Sequence, residues 1–288
     1  MNFTEEALAV GRVLERTIVP HSRFEMIASY IEKAVEIGET GIFSGVRVAA
    51  PSGSGKTALL RYLDHRLSDR YGVGGQLPMI SASLKENPSV SQVQGELLGN
   101  FNYPLSGVQR LGTNNDVNMV LVRAIEQHRV RLIAIDEFQH VFLSNGSKVA
   151  TAVLDWLKRL MNLTRVPVTL VGTEVLDRLE GVDSQLTSRI PTVVRMGHFQ
   201  LNAEWKAFLQ ALASSVDAVD LTPLCGPFAK PLFMASRGSP RMSKGLLVHA
   251  VCSAVSKGEK VLTAETMREA FRQQIGPLPD EENPFAAP

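Results

Sequence analysis

Two groups of side chains in this sequence have the types and spacing for phosphate chemistry. The first is the stretch Ala50-Pro51-Ser52-Gly53-Ser54-Gly55-Lys56-Thr57. Its glycines let successive backbone N–H groups curl round an anion. Lys56 can reach the β- and γ-phosphates of a nucleotide, and the Thr57 hydroxyl can hold Mg²⁺. The second group is the pair Asp136-Glu137. Asp136 can hold the same Mg²⁺ through water, and Glu137, pointing elsewhere, can orient and polarise an attacking water.

Both groups need elements that position them. Val46-Arg47-Val48-Ala49-Ala50 reads as a short strand, and Leu59, Leu60, Leu63 and Leu67 share a helical face. Strand, glycine-rich turn and helix is the context a phosphate-binding loop requires, and the helix N-terminus adds partial positive charge. Pro51 to Thr57 are therefore the candidate ATP-binding residues. Ala50 stands where the strict pattern has Gly, and Ala tolerates the extended backbone expected at a strand end. The bland reading, a Gly/Ser turn that happens to hold a lysine, does not account for these flanks. Leu132 to Ile135 carry Asp136 to the C-terminal end of a buried strand, where ligands sit in an open parallel sheet. Glu137 speaks against a small-molecule kinase, which must exclude water, and for an ATP hydrolase.

The rest of the chain supplies a sheet and then a helical region. Leu77 to Ala82, Val166 to Thr173 and Thr192 to Met196 read as further strands, with helices between them. Five apolar strands alternating with amphipathic helices predict an α/β fold, a parallel five-stranded sheet covered on both faces. Thr4 is a candidate cap for a first helix. Ser22 and Glu25 have capping-box spacing for a second, and Ser89 caps another. From Leu201 the periodicity is all-helical, with Trp205, Phe208, Leu209 and Leu212 on one face. The predicted organisation is an N-terminal helical arm (1–40), a nucleotide-binding α/β core (41–200), a small all-helical lid (201–276) and a flexible, acidic, Pro-rich tail (277–288). Phe285 offers the tail a second reading, as a docking peptide.

The totals narrow the class. The chain has 288 residues, 44% of them hydrophobic and 20% charged. This is enough for a substantial core. A formal charge of +1 gives no global signature for nucleic acid or membrane, so any polyanion contact must be local. Cys225 and Cys252 have no metal-ligand spacing. No apolar run approaches spanning length and the first residues lack a basic export start, so a cytoplasmic protein without a membrane partner is expected.

Further candidates lie near the two main groups. Thr173 ends the strand after the acids, where it can contact the γ-phosphate or lytic water, or cap the next helix. Arg189 precedes the fifth strand and is either a surface charge or a group supplied to a neighbouring subunit's nucleotide, a device that raises phosphoryl-transfer rates by roughly 10³–10⁵. Arg241 opens a lid helix from which it can reach the γ-phosphate. Val19 and Pro20 either pack or close over the nucleotide base.

This order of parts resembles the AAA+ ATPases over roughly residues 20 to 255. The phosphate loop, Asp136-Glu137, Thr173, Arg189 and Arg241 fall where that family places Walker A, Walker B, sensor 1, arginine finger and sensor 2. Many AAA+ proteins carry Asn where Thr173 stands. Within that group the chain is similar to the TniB/TnsC transposition ATPases. The shared features are Ile18-Val19-Pro20-His21-Ser22-Arg23-Phe24, Ile135-Asp136-Glu137-Phe138-Gln139-His140, Val171-Gly172-Thr173 and Gly238-Ser239-Pro240-Arg241. The resemblance implies a homo-oligomer, ring or helical filament, formed with ATP and Mg²⁺ on duplex DNA. Its partners would be a transposase and a TniQ-type target-selection protein, and hydrolysis would disassemble the assembly. The family's DNA contacts come from the insertion before Walker B, here roughly 84–118, with Lys85, Arg110, Thr113 and Asn114 as candidates.

Three other functions share parts of this pattern. A replication initiator or helicase loader shares the chemistry but often appends a DNA-binding domain, for which the stretch after Gly276 is too short. A nucleotide-switched signalling scaffold needs an effector or repeat domain. A plain phosphotransferase is opposed by Glu137.

Overall fold

The computed structural model describes residues 3–102, 114–143, 147–276, 279 and 282–286, with backbone alone at 114–115 and 147–148. The chain divides into two compact units. One comprises Arg23–Ser52 and Lys56–Met196, the other Met1–Ser22, Gly53–Gly55 and Gly197–Pro288. The arm expected over 1–40 is thus not one piece: its first helix belongs to the second unit, and its second helix, from Arg23 on, to the first.

The first unit is the α/β layer structure. Its strands are β1 (Val46–Ala49), β2 (Met79–Ser83), β3 (Leu132–Asp136), β4 (Val168–Gly172) and β5 (Thr192–Arg195), in spatial order β2-β3-β4-β1-β5. Every pairing is parallel. β1, β3 and β4 are buried on both faces, which is why they read as mostly apolar runs, interrupted by Arg47 in β1 and Thr169 in β4. The edge strands β2 and β5 carry exposed positions. The outer edge of β2 is closed by a side chain, for the Asn100 amide accepts from the Ser81 N–H at 3.1 Å and donates to the Ser81 carbonyl at 2.8 Å.

Helices cover this sheet: α2 (Ser22–Gly38), α3 (Lys56–Tyr71), α4 (Val90–Gly99), α5 (Asn114–Gln127), α6 (Gln139–Leu143), α7 (Ser147–Thr164), α8 (Leu179–Val182) and α9 (Ser184–Arg189). Leu97, Leu121, Ile133, Ile135, Leu157 and Leu170 are fully buried in one continuous core. Each such side chain contributes about 1.5–3 kcal/mol by leaving water. A guanidinium is buried in the sheet as well. Arg47, in β1, is 2% exposed; its Nε donates to the Ile190 carbonyl at 3.0 Å and its Nη2 meets Glu180 at 3.1 Å. It thereby pins the C-terminal end of α9. Ser89 caps α4 as expected, through the Gln92 N–H at 3.2 Å.

The second unit is helical: α1 (Glu5–Arg16), α10 (Ala203–Ala213), α11 (Ala229–Ser236), α12 (Pro240–Lys257) and α13 (Ala264–Ile275). Thr4 caps α1 through the Ala7 N–H at 3.2 Å. Ser22 and Glu25, by contrast, form no capping box. Ser22 is already the first helical residue of α2 and its hydroxyl donates to Glu204, while Glu25 engages Tyr62 and Arg66. α1 and α12 approach so closely that a Cβ on Gly11 would lie 2.7 Å from Cys252 Sγ. Trp205, fully buried, donates its indole N–H to the Ala229 carbonyl at 2.8 Å.

Within the tail, residues 282–286 follow the docking reading of Phe285 rather than the flexible one: Phe285 is 3% exposed, with Phe228 and Phe271 rings each 6.3 Å away in edge contact. Asn283 anchors the turn by donating to the Arg268 carbonyl at 3.2 Å and accepting from the Phe285 N–H at 3.0 Å. An aromatic anchor outweighed the acidic, proline-rich composition around it.

Candidate functional site

Strand register brings the two chemical groups to one edge of the sheet. Ala49 is paired with Gly172, and Ile135 with Leu170. Asp136 and Glu137 therefore leave β3 level with the end of β1, where the loop begins. β4 lies between those strands, so Thr173 emerges between loop and acids. This is the carboxyl edge at which open parallel sheets bind ligands.

The loop is shaped by its own residues. Ala50 is fully buried, has no positive φ, and donates its N–H to the Gly172 carbonyl at 2.9 Å. The strand conformation thus continues through it, and a Cβ is tolerated there. Gly53 (φ 77°) and Gly55 (φ 100°) turn the chain through backbone that side-chain-bearing residues avoid. Lys56 opens α3 at 6% exposure, and its ammonium donates to the carbonyls of Ala50 at 3.2 Å and Pro51 at 3.3 Å. The loop is closed into a ring by its own lysine.

The acids face that ring's end. Thr57 Oγ1 donates to Asp136 Oδ2 at 3.4 Å, and Asp136 Oδ1 accepts the Glu137 N–H at 2.8 Å. Burial pushes the Asp136 carboxyl above its ordinary range. The Glu137 N–H, Lys56 and Thr57 pull it back in part, and the Glu137 charge adds to the rise. A hydroxyl and a carboxylate this close are hard oxygen donors of the kind Mg²⁺ takes. Glycines at positive φ are what a loop that curls its backbone round a polyphosphate requires. Beside the acids lies a cavity of about 380 Å³ lined by Thr57, Asp64, Ser81, Ser83, Asp136 and Glu137.

Glu137 itself is kinked off the strand at φ 54°, left-handed for a residue with a side chain. Its carboxylate accepts from Gln139 Nε2, and Gln139 Oε1 accepts the Thr173 N–H at 3.2 Å. Gln139 is 5% exposed. Reading the sequence passed over it, because a glutamine beside a charged pair reads as surface. The available cue was its place between buried Phe138 and Val141.

The other expected residues fall as follows. Thr173 occupies the cap position before the turn Glu174–Arg178, but its hydroxyl makes no cap bond. Arg189 is not brought to its own loop. Its carbonyl accepts from Gly45, at the start of β1, whereas the loop follows Ala49 at the other end. At about 3.3 Å per strand residue, that separates them by roughly 16 Å. Arg189 is half-buried, its guanidinium bonded to Asn162 Oδ1 at 3.3 Å and the Gln185 carbonyl at 3.1 Å. Arg241 contacts Gly53 through its backbone. Its N–H and the Ser239 hydroxyl both donate to the Gly53 carbonyl at 3.2 Å. Val19 packs against the helical core; nothing further marks Val19-Pro20 as a base contact. Lys85 is exposed in the turn after β2. Arg110 and Thr113 lie outside the described residues, as does the side chain of Asn114.

Sheet order, phosphate loop and the acid-bearing strand end are together those of the AAA+ fold. Solved structures of this fold are similar throughout. The ORC2 protein of Aeropyrum pernix, in ADPNP–ADP complexes, matches with a TM-score of 0.70 at 20% identity over 94% of this chain and 73% of that one. The ORC1 protein of the same organism, in complex with DNA, gives 0.71 at 20% identity over 92% and 69%. Cdc6p from Pyrobaculum aerophilum gives 0.70 at 15% identity over 94% and 72%. At these identities the likeness is one of fold. The family described as bacterial TniB protein matches residues 10–198, well over half of the chain, and the chain belongs to the TniB family. None of the curated proteins compared with it matches. Among the described residues, no helix is long and apolar enough to cross a membrane.

Proposed function

We propose that this protein hydrolyses ATP as a DNA-associated ATPase of transposition, with two copies of the chain sharing each triphosphate. The observation that carries the chemistry is the meeting of Thr57 and Asp136 at 3.4 Å, with Glu137 beside them and Lys56 closing the loop. N–H groups from Gly53 to Thr57 and the Lys56 ammonium would hold the phosphates, with Pro51 and Ser52 forming the loop's entry. Thr57 and Asp136 would hold Mg²⁺, which when bound supplies positive charge across the phosphate oxygens. Glu137 orients a water and takes its proton as the new O–P bond forms and the bond to the leaving diphosphate breaks. Thr173 contacts the γ-phosphate end.

Arg189 is assigned to a neighbour's site, since about five strand residues separate it from its own loop. The assembly is a ring or filament on duplex DNA, gripped mainly through phosphates and therefore sequence-tolerant and salt-sensitive. Lys85 and the segment leading into α5 are the proposed contacts. Family membership supports transposition, with a transposase and a TniQ-type target-selection protein as partners in the cytoplasm and hydrolysis dismantling the assembly. Neighbours of the same fold solved with DNA, ORC1 of Aeropyrum pernix and the Drosophila ORC, support the nucleic-acid side of the reading and keep a replication-initiator role as its competitor.

The test is phosphate release and duplex retention with Mg²⁺ and ATP or a non-hydrolysable analogue. Glu137→Gln is expected to retain nucleotide-dependent DNA binding and lose turnover, and Lys56→Ala to lose both. Phosphate release at the wild-type rate by Glu137→Gln, or equal DNA retention with and without nucleotide, would defeat the proposal.

A further inference from the structure

We infer that Gln139 is the positioning residue for the Glu137 carboxylate, an inference that rests on Glu137 being the group that orients water. The left-handed φ of 54° at Glu137 directs its side chain away from the strand it ends, so nothing in the strand itself fixes where the carboxylate points. Gln139 supplies that constraint. Its Nε2 donates to Glu137 Oε2 and its Oε1 accepts the Thr173 N–H at 3.2 Å. The two bonds fix the amide's sense, because only the oxygen can accept from a backbone N–H and only the nitrogen can donate to a carboxylate. At 5% exposure the amide has little water to turn to, so it stays in that sense. Oε1 of Glu137 is left to accept a proton from water.

Gly172 is the other half of the device. A Cβ at Gly172 would lie 2.7 Å from Gln139 Oε1 and 3.2 Å from the Gln139 backbone nitrogen. The residue ending β4 is therefore small because the amide lies across it. Through this bridge the end of β4 sets the aim of an acid on β3. Gln139 touches neither nucleotide nor water in this scheme and acts only through Glu137.

The experiment measures kcat, KM and nucleotide affinity for ATP turnover by the full chain with Mg²⁺ and duplex DNA, alongside thermal melting. The variants are Gln139→Met, Gln139→Glu, Gly172→Ala and Glu137→Gln. Gln139→Met removes both bonds, whereas Gln139→Glu keeps an acceptor for the Thr173 N–H, loses the donor to Glu137 and sets a second carboxylate against it. Gly172→Ala leaves the amide intact and pushes it off station. All three are expected to lower kcat, by about 10²-fold for the Gln139 variants, with KM and affinity unchanged. Wild-type kcat in Gln139→Glu would mean that only the Thr173 tether matters and would overturn the inference. So would wild-type kcat in Gln139→Met, or losses confined to KM and melting temperature. If Glu137→Gln itself turns over ATP normally, the parent reading fails first, and that outcome is separate from any behaviour of the Gln139 variants.

Discussion

The ammonium of Lys158, on α7, lies 2.8 Å from the carboxylate of Asp183, the residue that caps the helix carrying Arg189. The same carboxylate accepts the Leu186 N–H at 2.8 Å. Burial tends to raise the Asp183 carboxyl, but Lys158 and the helix N–H groups outweigh it, and the group titrates below its ordinary range. Its contribution to stability is therefore present above the unfolded aspartate pKa and lost as pH falls through the depressed native value. Asp183→Ala is expected to cost about 1–2 kcal/mol near neutral pH. In urea unfolding, the gap between variant and parent should narrow below a pH of about 4.

Asp136 predicts the opposite sign. Burial raises its carboxyl, so the folded chain binds that proton more tightly than the unfolded chain does. The resulting stability is present below the ordinary aspartate pKa and lost as pH rises through the raised one. Without Mg²⁺ at slightly alkaline pH, Asp136→Asn should therefore unfold at higher urea than the parent. With Mg²⁺ it should lose metal-dependent nucleotide binding. A lower urea midpoint for the Asn variant would contradict the burial argument.

Gly55 holds φ 100°, outside the range a side chain tolerates. Gly55→Ala should lower nucleotide affinity at least tenfold and cost about 1–2 kcal/mol in strain. Calorimetric titration with an ATP analogue checks the first and thermal melting the second. Ala50→Gly, at a position without positive φ, should leave affinity unchanged.

Phe285 fills a buried site between two aromatic rings. Phe285→Ala should destabilise the helical unit by about 3 kcal/mol, as large-to-small core changes do. A free-hanging tail would show no change in melting.

Sharing of each triphosphate between copies can be tested by mixing. Lys56→Ala and Arg189→Ala chains are each expected to be inactive, and together to regain part of the parent's turnover. Subunits that leave the mixture as inactive as its components would argue against a trans role for Arg189.

Much of the α/β layer was legible because central parallel strands are apolar on both faces and announce themselves as runs. The loop and Asp136-Glu137 could be placed together for the same reason, since register follows from which residues end the strands. The short helices α6, α8 and α9 were not legible. They carry too few residues to show a period, and long-range contacts such as Arg47 to Ile190 hold them. The cap foreseen at Ser22 failed because Glu204, far along the chain, offered the hydroxyl a charged acceptor. Composition left two readings of the tail open because it is an average, whereas Phe285, with Asn283 beside it, seats residues 282–286.

Asn100 has a bearing on handling and on evolution. At Ser81, midway along β2, a single carboxamide stands in for one residue of a neighbouring strand, presenting one acceptor and one donor where another chain would otherwise dock. Replacing it with Leu would strip that imitation away and leave an adhesive seam. Copies would then be free to join sheet to sheet, in a polymer that neither nucleotide nor DNA controls.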